Sequence, residues 1–230
     1  MYFSRITFNP QVSATQLAQT ICADTYKEHQ ALWHLFDANP DAKRDFLYRQ
    51  TQQQGRVKYY VVSEREPVDS SGVWLVDACQ TYDPKLTKGQ ELFFSVRVNP
   101  VVTVSIKVDE KQSRKERHDV VMREKKRIDY KNLPKDSRPL EQEIVQQTCI
   151  PWLVQRAETL GFSVQANTLL VDGYQQYDSY AKGKKPISYS TVDFQGVLMV
   201  LDPERFKQTL FQGIGKAKAF GCGLLLIRRV

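Results

Sequence analysis

E-L-F-F-S-V-R-V-N-P-V-V-T-V-S-I-K, from Glu91 to Lys107, reads as a long extended run. Leu92, Phe94, Val96 and Val98 fall on one side of its pleat, and Phe93, Ser95, Arg97 and Asn99 on the other. Pro100 has no amide hydrogen to give to a ladder, so the run is expected to serve two sheets in succession. That expectation divides the chain into residues 1–98 and 99–230. Upstream, Tyr2 to Phe8 alternates as a half-buried strand ended by Asn9-Pro10. Ser13 and Gln16 have capping-box spacing and open a helix running to about Phe36, with a break near Asp24. Asn39 as cap and Pro40 at the first helical position predict a second, short helix that carries Phe46 and Leu47 inward. Val57 to Ser63 and Val73 to Cys79 read as strands on either side of a turn rich in Pro, Asp, Ser and Gly.

Downstream, residues 107–138 are polar and weakly periodic and read as a linker or mobile basic arm. Helical spacing returns from Leu140 to Leu160, with a kink or restart at Pro151 and a stop at Gly161. Phe162 to Val171 reads as a strand, residues 172–188 as a Tyr- and Lys-rich basic hairpin, and Tyr189 to Leu201 as a further strand. Asp202 as cap and Pro203 behind it open a helix with Phe206 and Leu210 on one face. The glycine-rich loop G-I-G-K-A-K-A-F-G-C-G, residues 213–223, then leads into a last strand, Leu224 to Arg228. Each half thus approximates strand, helix, strand, strand, helix, strand. The expectation is an α+β protein of two tandem ferredoxin-like (RRM-like, βαββαβ) domains, with an open sheet face or a cleft available to a long polymer.

Composition narrows the partner. The 230 residues carry 33 Lys or Arg against 26 Asp or Glu, a net charge of +7, which points to a polyanion. From Lys107 to Arg138 there are 12 basic and 7 acidic residues, +5 in that stretch alone. After Glu204 no acidic residue occurs, while Arg205, Lys207, Lys216, Lys218, Arg228 and Arg229 do. Binding carried by such charges weakens steeply as salt rises. Cys22, Cys79, Cys149 and Cys222 form no C-x-x-C pair, so neither a zinc site nor any other metal or cofactor is expected. No apolar run approaches the roughly 20 residues of a membrane span. With a strand-like N-terminus in place of a signal peptide, the chain reads as cytoplasmic, with reduced thiols.

Phosphate loops of nucleotide-binding folds run strand, glycines, helix, whereas residues 213–223 run helix, glycines, strand. The loop is therefore a poor nucleotide site. Gly213 can serve as a left-handed helix cap, but the run as a whole, with Gly213 and Gly215 lacking a Cβ and Lys216 and Lys218 beside them, reads as a ligand-facing loop that meets phosphates.

Three histidines are present, His29, His34 and His118. His29 follows Tyr26 by three residues, one helical turn, on a stripe that runs Ala18, Cys22, Tyr26, His29, Trp33, Phe36. By spacing alone, a lone histidine on an apolar stripe is more often packing than chemistry, and so is a tyrosine. The chemistry this pair suits is metal-free RNA cleavage, in which a 2′-hydroxyl attacks the adjacent phosphate and leaves a 5′-hydroxyl and a 2′,3′-cyclic phosphate. Histidine can be acid or base near neutrality, and tyrosine serves as a base only where a cation lowers its pKa. His34 reads as structural and His118 as solvated in the basic arm.

T-Y-K-E-H-Q-A-L-W-H-L-F at Thr25 to Phe36, N-P-D-A-K-R-D-F-L-Y-R at Asn39 to Arg49, R-V-N-P at Arg97 to Pro100, F-Q-G-V-L at Phe194 to Leu198 and the terminal G-I-G-K-A-K-A-F-G-C-G-L-L carry a resemblance over nearly the whole chain. Together they resemble the CRISPR RNA-processing endoribonucleases of the type I-E Cascade complex, the CasE family. The resemblance implies tandem ferredoxin-like domains that cut a repeat RNA at the base of its stem-loop without metal. It also implies that the product is kept and that the protein joins other Cascade subunits. It makes His29 the principal catalytic residue and Tyr26 its partner, His29 as acid at the leaving oxygen and Tyr26 as helper at the 2′-hydroxyl, with reversed roles open. It places the stem-gripping basic hairpin at Lys182, Lys184 and Lys185. The long connection from Pro10 to Tyr26, R-V-N-P in place of R-A-N-P, and the long arm over 107–138 depart from the family pattern. Two other readings stand beside it: a non-catalytic RNA-binding subunit on the same fold, and, more distantly, a DNA-binding or ribosome-associated basic protein.

Overall fold

Pro100 does separate two sheets. The computed structural model describes residues 1–13, 15–16, 25–36, 44–53, 55–107, 113–179 and 187–230. Before the proline, β5 (Glu91–Val98) lies in a five-stranded sheet; after it, β6 (Val101–Lys107) pairs with β7 (Ser113–Asp119) in a separate two-stranded ribbon. The five-stranded sheet is not the one that precedes it, however. β1 (Tyr2–Phe8), β2 (Phe46–Gln53), β3 (Arg56–Ser63) and β4 (Trp74–Thr81) form their own antiparallel sheet in the order β2-β3-β1-β4. The chain crosses to the second sheet between Thr81 and Glu91, so a division after residue 98 severs β5 from its partners. Pro100 marks a change of partner within the second unit, not the junction between units.

The first sheet is covered on both faces. Along β3, Tyr59 and Val61 face helix α1 (Thr25–Trp33) and its extension, where Ala31, Leu32, Leu35 and Phe36 pack against Ile6, Phe46 and Trp74. The alternate residues Tyr60 and Val62 face the other way and join Phe3, Leu47, Leu224 and Leu226 in a smaller cluster shared with the second unit. This is the two-residue period of a strand, and a one-residue slip would exchange the two sets. It also explains β2. Phe46 and Leu47, expected at the end of a short helix, begin a strand and are both buried because each face of the sheet has a cover. Asn39 and Pro40 lie outside the described residues.

In the second unit, β8 (Phe162–Val164), β9 (Leu170–Ser179), β10 (Ile187–Val200) and β11 (Leu225–Arg229) join β5 in the order β11-β5-β10-β8, with β9 also on β10. Leu92, Phe94, Val96 and Val98 face helices α3 (Glu141–Ala157) and α4 (Pro203–Gln212) over a core that includes Phe162, Phe194 and Phe206. Fully burying a phenylalanine contributes about 1.5–3 kcal/mol, so these three rings together contribute roughly 5–9 kcal/mol to that core. α3 runs through Pro151 without interruption, and Gly161 ends the following turn at φ 88°. Asp202 caps α4 by accepting from the Arg205 amide, with Pro203 in the first turn, as the sequence predicts.

Where it is described, at 107 and 113–138, the stretch expected to be a linker or mobile basic arm instead holds regular structure. β6 and β7 form a ribbon whose last residue, Asp119, caps α2 (Val120–Arg127) through the Met122 amide. α2 lies against α3 with Val121 fully buried. No described helix is long and apolar enough to cross a membrane.

Candidate active site

Helix α1 carries Tyr26 and His29 one turn apart, but of the stripe predicted for its inward face only Phe36, just past the helix, is buried among the described side chains. The other residues that point into the core are Glu28, Ala31, Leu32 and Leu35, at helical spacing of three, one and three. Glu28 occupies a core position because the Tyr59 hydroxyl hydrogen-bonds it and Arg97 lies near; burial still pushes its carboxyl pKa up. The stripe of His29 and Trp33 is thereby turned to the margin of the packed face, where both are half-buried. Tyr26 is in the helix, and its side chain lies outside the described set, as do Ala18 and Cys22.

His29 lies against aromatic rings, 5.8 Å from Phe46, 6.3 Å and near-parallel to Tyr48, and 6.1 Å from Trp33 between centroids. Its Nε2 accepts a hydrogen bond from the Trp33 indole nitrogen at 2.9 Å, while its Nδ1 is buried with no partner among the described residues. Burial first, and the Arg44 guanidinium second, lower the imidazole pKa to about 4. In the free protein the ring is therefore neutral at pH 7. One side stays open: His29, Gln30, Trp33 and His34 line a recess of about 440 Å³. His34, expected to be structural, is exposed at that recess.

Arg44 stands inside the motif R-D-F-L-Y-R, yet nothing in a charge pattern says which arginine folds back. It is half-buried just before β2, with burial lowering its pKa. It sits close enough to Lys218 to help lower that lysine's pKa, after burial and ahead of Lys216. Arg44, Lys216 and Lys218 thus form one cationic group, and the turn Lys218–Phe220 packs against α1. His29 and the glycine loop, 190 residues apart in the chain, are neighbours in the fold.

The loop itself is braced as tightly as a core element. The Ile214 amide donates to the Gly223 carbonyl, the Gly223 amide to the Arg97 carbonyl, and the Tyr48 hydroxyl to the Ala219 carbonyl. At Gly213, with φ 74°, a Cβ would stand 2.8 Å from the Gly223 carbonyl and from a Leu47 methyl, so close packing accounts for glycine there. Gly215 is exposed, and Lys216 beside it makes an isolated bridge with Asn99. The R-V-N-P segment is the loop's anchor: Arg97 gives its carbonyl, and Asn99 donates its side-chain amide to the Ser190 carbonyl at 2.8 Å. Lys218 is half-buried, with its ammonium on the Gln212 carbonyl, and Lys216 is the exposed member of the pair.

Beyond the loop, Asn99, Arg117, Tyr177, Tyr189, Lys216 and Phe220 line a groove of about 570 Å³. Tyr177, Tyr189 and Phe220 stack in sequence at 5.2 and 4.5 Å. The sequence singled out none of these rings, because residues brought together from a hairpin and a loop leave no spacing to read. Residues of β9 and β10 form one wall of the groove; Lys182, Lys184 and Lys185, expected to grip RNA, lie outside the described residues. His118 lies half-buried on β7, 3.6 Å from the Glu116 carboxylate.

The profile of a family described as CRISPR associated protein matches residues 1–229. The chain is 32% identical over 218 residues to the CRISPR system Cascade subunit CasE of Escherichia coli strain K12, covering 93% of this chain and 96% of that protein. It is 26% identical over 242 residues to the CRISPR-associated endoribonuclease Cse3 of Thermus thermophilus, covering 99% of each. A solved structure of CRISPR endoribonuclease Cse3 bound to a 19-nucleotide RNA shares the fold, with a TM-score of 0.67 at 23% identity over 99% of this chain and 100% of that one. On this evidence the chain belongs to the CRISPR-associated protein family, in its type I-E CasE branch.

Proposed function

We infer that this chain is an endoribonuclease that processes CRISPR RNA and assembles with Cascade subunits. The observation that carries the reading is a neutral imidazole at the rim of an open recess, beside Arg44 and a lysine-bearing glycine loop. The E. coli relative is named a Cascade subunit and the Thermus relative an endoribonuclease, one that has been solved with RNA bound. The strand orders β2-β3-β1-β4 and β11-β5-β10-β8 support two tandem ferredoxin-like domains, divided between Thr81 and Glu91. The second has both helices of that pattern; the first joins β3 to β4 through an irregular segment. A cytoplasmic location goes with this reading.

For the chemistry, the protonation states favour the reversed assignment of the pair. A neutral imidazole takes a proton, and the phenol of a tyrosine has one to give. His29 Nε2 removes the 2′-hydroxyl proton, the 2′-oxygen bonds to phosphorus, and the bond from phosphorus to the 5′-oxygen breaks. Tyr26 protonates that departing oxygen and is re-protonated by the imidazolium, so the protons balance. Arg44, Lys216 and Lys218 stabilise the charge that grows on the phosphorane. The ends are a 2′,3′-cyclic phosphate and a 5′-hydroxyl, and no metal takes part.

The pH profile distinguishes the two assignments. With His29 as base, the single-turnover cleavage rate of repeat RNA should be flat or rising between pH 6 and 8. It should fall only on the acid side, because a nearby phosphate raises the imidazole from about 4 toward its ordinary 6.5. A rate falling about tenfold per unit between pH 6 and 8 would give the acid role back to His29.

A further inference from the structure

Trp33 stands four residues after His29, one helical turn on, and its indole nitrogen lies 2.9 Å from Nε2. Indole N–H can only donate, so Nε2 must be the unprotonated nitrogen and Nδ1 must carry the ring's proton. That Nδ1 is buried without a partner among the described residues. A ring free to choose would put its proton where it could be hydrogen-bonded, so the tautomer is imposed from the Nε2 side. The arrangement also opposes the imidazolium, which would set N–H against N–H across the same 2.9 Å. The rings of Phe46 and Tyr48 lie beside the imidazole, while the recess lined by His29, Gln30, Trp33 and His34 stays open.

We propose that Trp33 is a positioning residue for the cleavage step: its indole N–H holds the place of the RNA 2′-hydroxyl on His29 Nε2 until substrate arrives. Both groups are neutral donors, so the hydroxyl can replace the indole at the same lone pair with no change of tautomer. The displaced N–H then faces the open recess, where water satisfies it. The idea rests on the nuclease reading, because it assigns Nε2 as the atom that takes the proton. It adds that the free enzyme stores the imidazole in its proton-accepting tautomer, and that Trp33 sets it.

The other groups facing the ring bear on any test by titration. Arg44 and Tyr48 approach from the β2 side, Lys218 belongs to the turn packed on α1, and Glu28 and His34 lie on α1 itself or at its end. None of these is altered by Trp33→Phe, which keeps one aromatic ring against Phe46 and removes the donor together with the second ring of the indole. The measurement is nitrogen-15 NMR of the histidine side chains in the full-length protein without RNA. In the unaltered protein His29 should show a protonated Nδ1 and an unprotonated Nε2. In Trp33→Phe the tautomers should mix, and the His29 pKa should rise by about one unit, the scale of one neutral hydrogen bond. His118 should not move. Should Trp33→Phe fail to fold, the tautomer in the unaltered protein still decides: a protonated Nε2 there would overturn the proposal. So would a tautomer and pKa for His29 that are the same with and without the indole. Neither readout involves cleavage, so a His29→Ala variant that still cuts RNA would remove His29, and with it the role given to Trp33, from the chemistry and leave the tautomer result to be judged separately.

Discussion

His29→Ala is expected to slow single-turnover cleavage of repeat RNA by about 10²- to 10⁴-fold, the range a general acid or base supplies, while RNA affinity stays the same within error. The second half of that expectation comes from where the ring sits. His29 is at the margin of the packed face of α1, and the side chains that hold the helix down are Ala31, Leu32, Leu35 and Phe36. Truncation removes a ring whose Nδ1 has no partner among the described residues, and it frees the Trp33 indole toward an open recess. Little stability is lost, so reduced cleavage cannot be put down to unfolding. The cations held to grip RNA, Arg44, Lys216 and Lys218, are untouched. The check is cleavage in parallel with a binding isotherm and a urea unfolding curve. A variant that cuts at the normal rate removes His29 from the chemistry; one that neither binds nor folds would show that the ring is structural.

Asp193→Ala is expected to destabilise the protein by about 2–3 kcal/mol, the worth of hydrogen bonds to a charged group and less than a fully buried ion pair, because the pair is only partly buried. Asp193 on β10 accepts from Arg97 Nε at 3.0 Å and from an Arg97 terminal nitrogen at 2.7 Å. A second guanidinium, Arg49 from β2 of the first sheet, reaches it at 3.5 Å and also donates to the Ser95 hydroxyl at 2.8 Å. Arg49 has only 9% of its side chain exposed. Burial lowers its pKa most, Asp193 raises it and Arg97 lowers it again, so the carboxylate is what allows two arginines to lie together. Without Asp193 they repel across the junction of the two sheets. The consequence reaches the site, because the Arg97 carbonyl anchors Gly223 and Arg49 follows Tyr48, which holds Ala219. Asp193→Asn keeps the shape and one acceptor oxygen but drops the charge and turns the second oxygen into a donor, and should fall between the two. Urea unfolding of the three proteins measures this; equal midpoints would mean that the two sheets are joined by the apolar cluster around Leu47, Val62 and Leu224 alone.

What the sequence revealed was what repeats locally. Alternation in β5, the proline after it, the Asp202-Pro203 start of α4 and the stop at Gly161 each depend on residues within one element, and each is found in the fold. Elements with an unusual environment were illegible. β7, S-R-K-E-R-H-D, is almost wholly polar because its two-stranded ribbon is largely exposed, so no hydrophobic period marks it and the segment resembles a loose arm. β2 begins with two adjacent apolar residues because its sheet is covered on both faces, which mimics the inward end of a helix. The inward face of α1 was misplaced by one residue because Glu28, a residue that composition puts outside, sits in the core with Tyr59. The candidate site divides in the same way. His29 and the glycine loop could be picked out by type and spacing, while Arg44, Trp33 and the stack of Tyr177, Tyr189 and Phe220 acquire meaning only from contacts across the chain.

The central claim is that this chain cuts RNA through the substrate's own 2′-hydroxyl, without metal. It is tested most directly by incubating the unaltered protein, in the presence of a chelator, with two repeat RNAs that differ in one atom: a ribose and a 2′-deoxyribose on the 5′ side of the scissile phosphate. The ribose substrate should be cut to a 2′,3′-cyclic phosphate and a 5′-hydroxyl, and the deoxy substrate should be bound equally well and left whole. Scission of the deoxy substrate, or ends carrying a 5′-phosphate, would contradict the account.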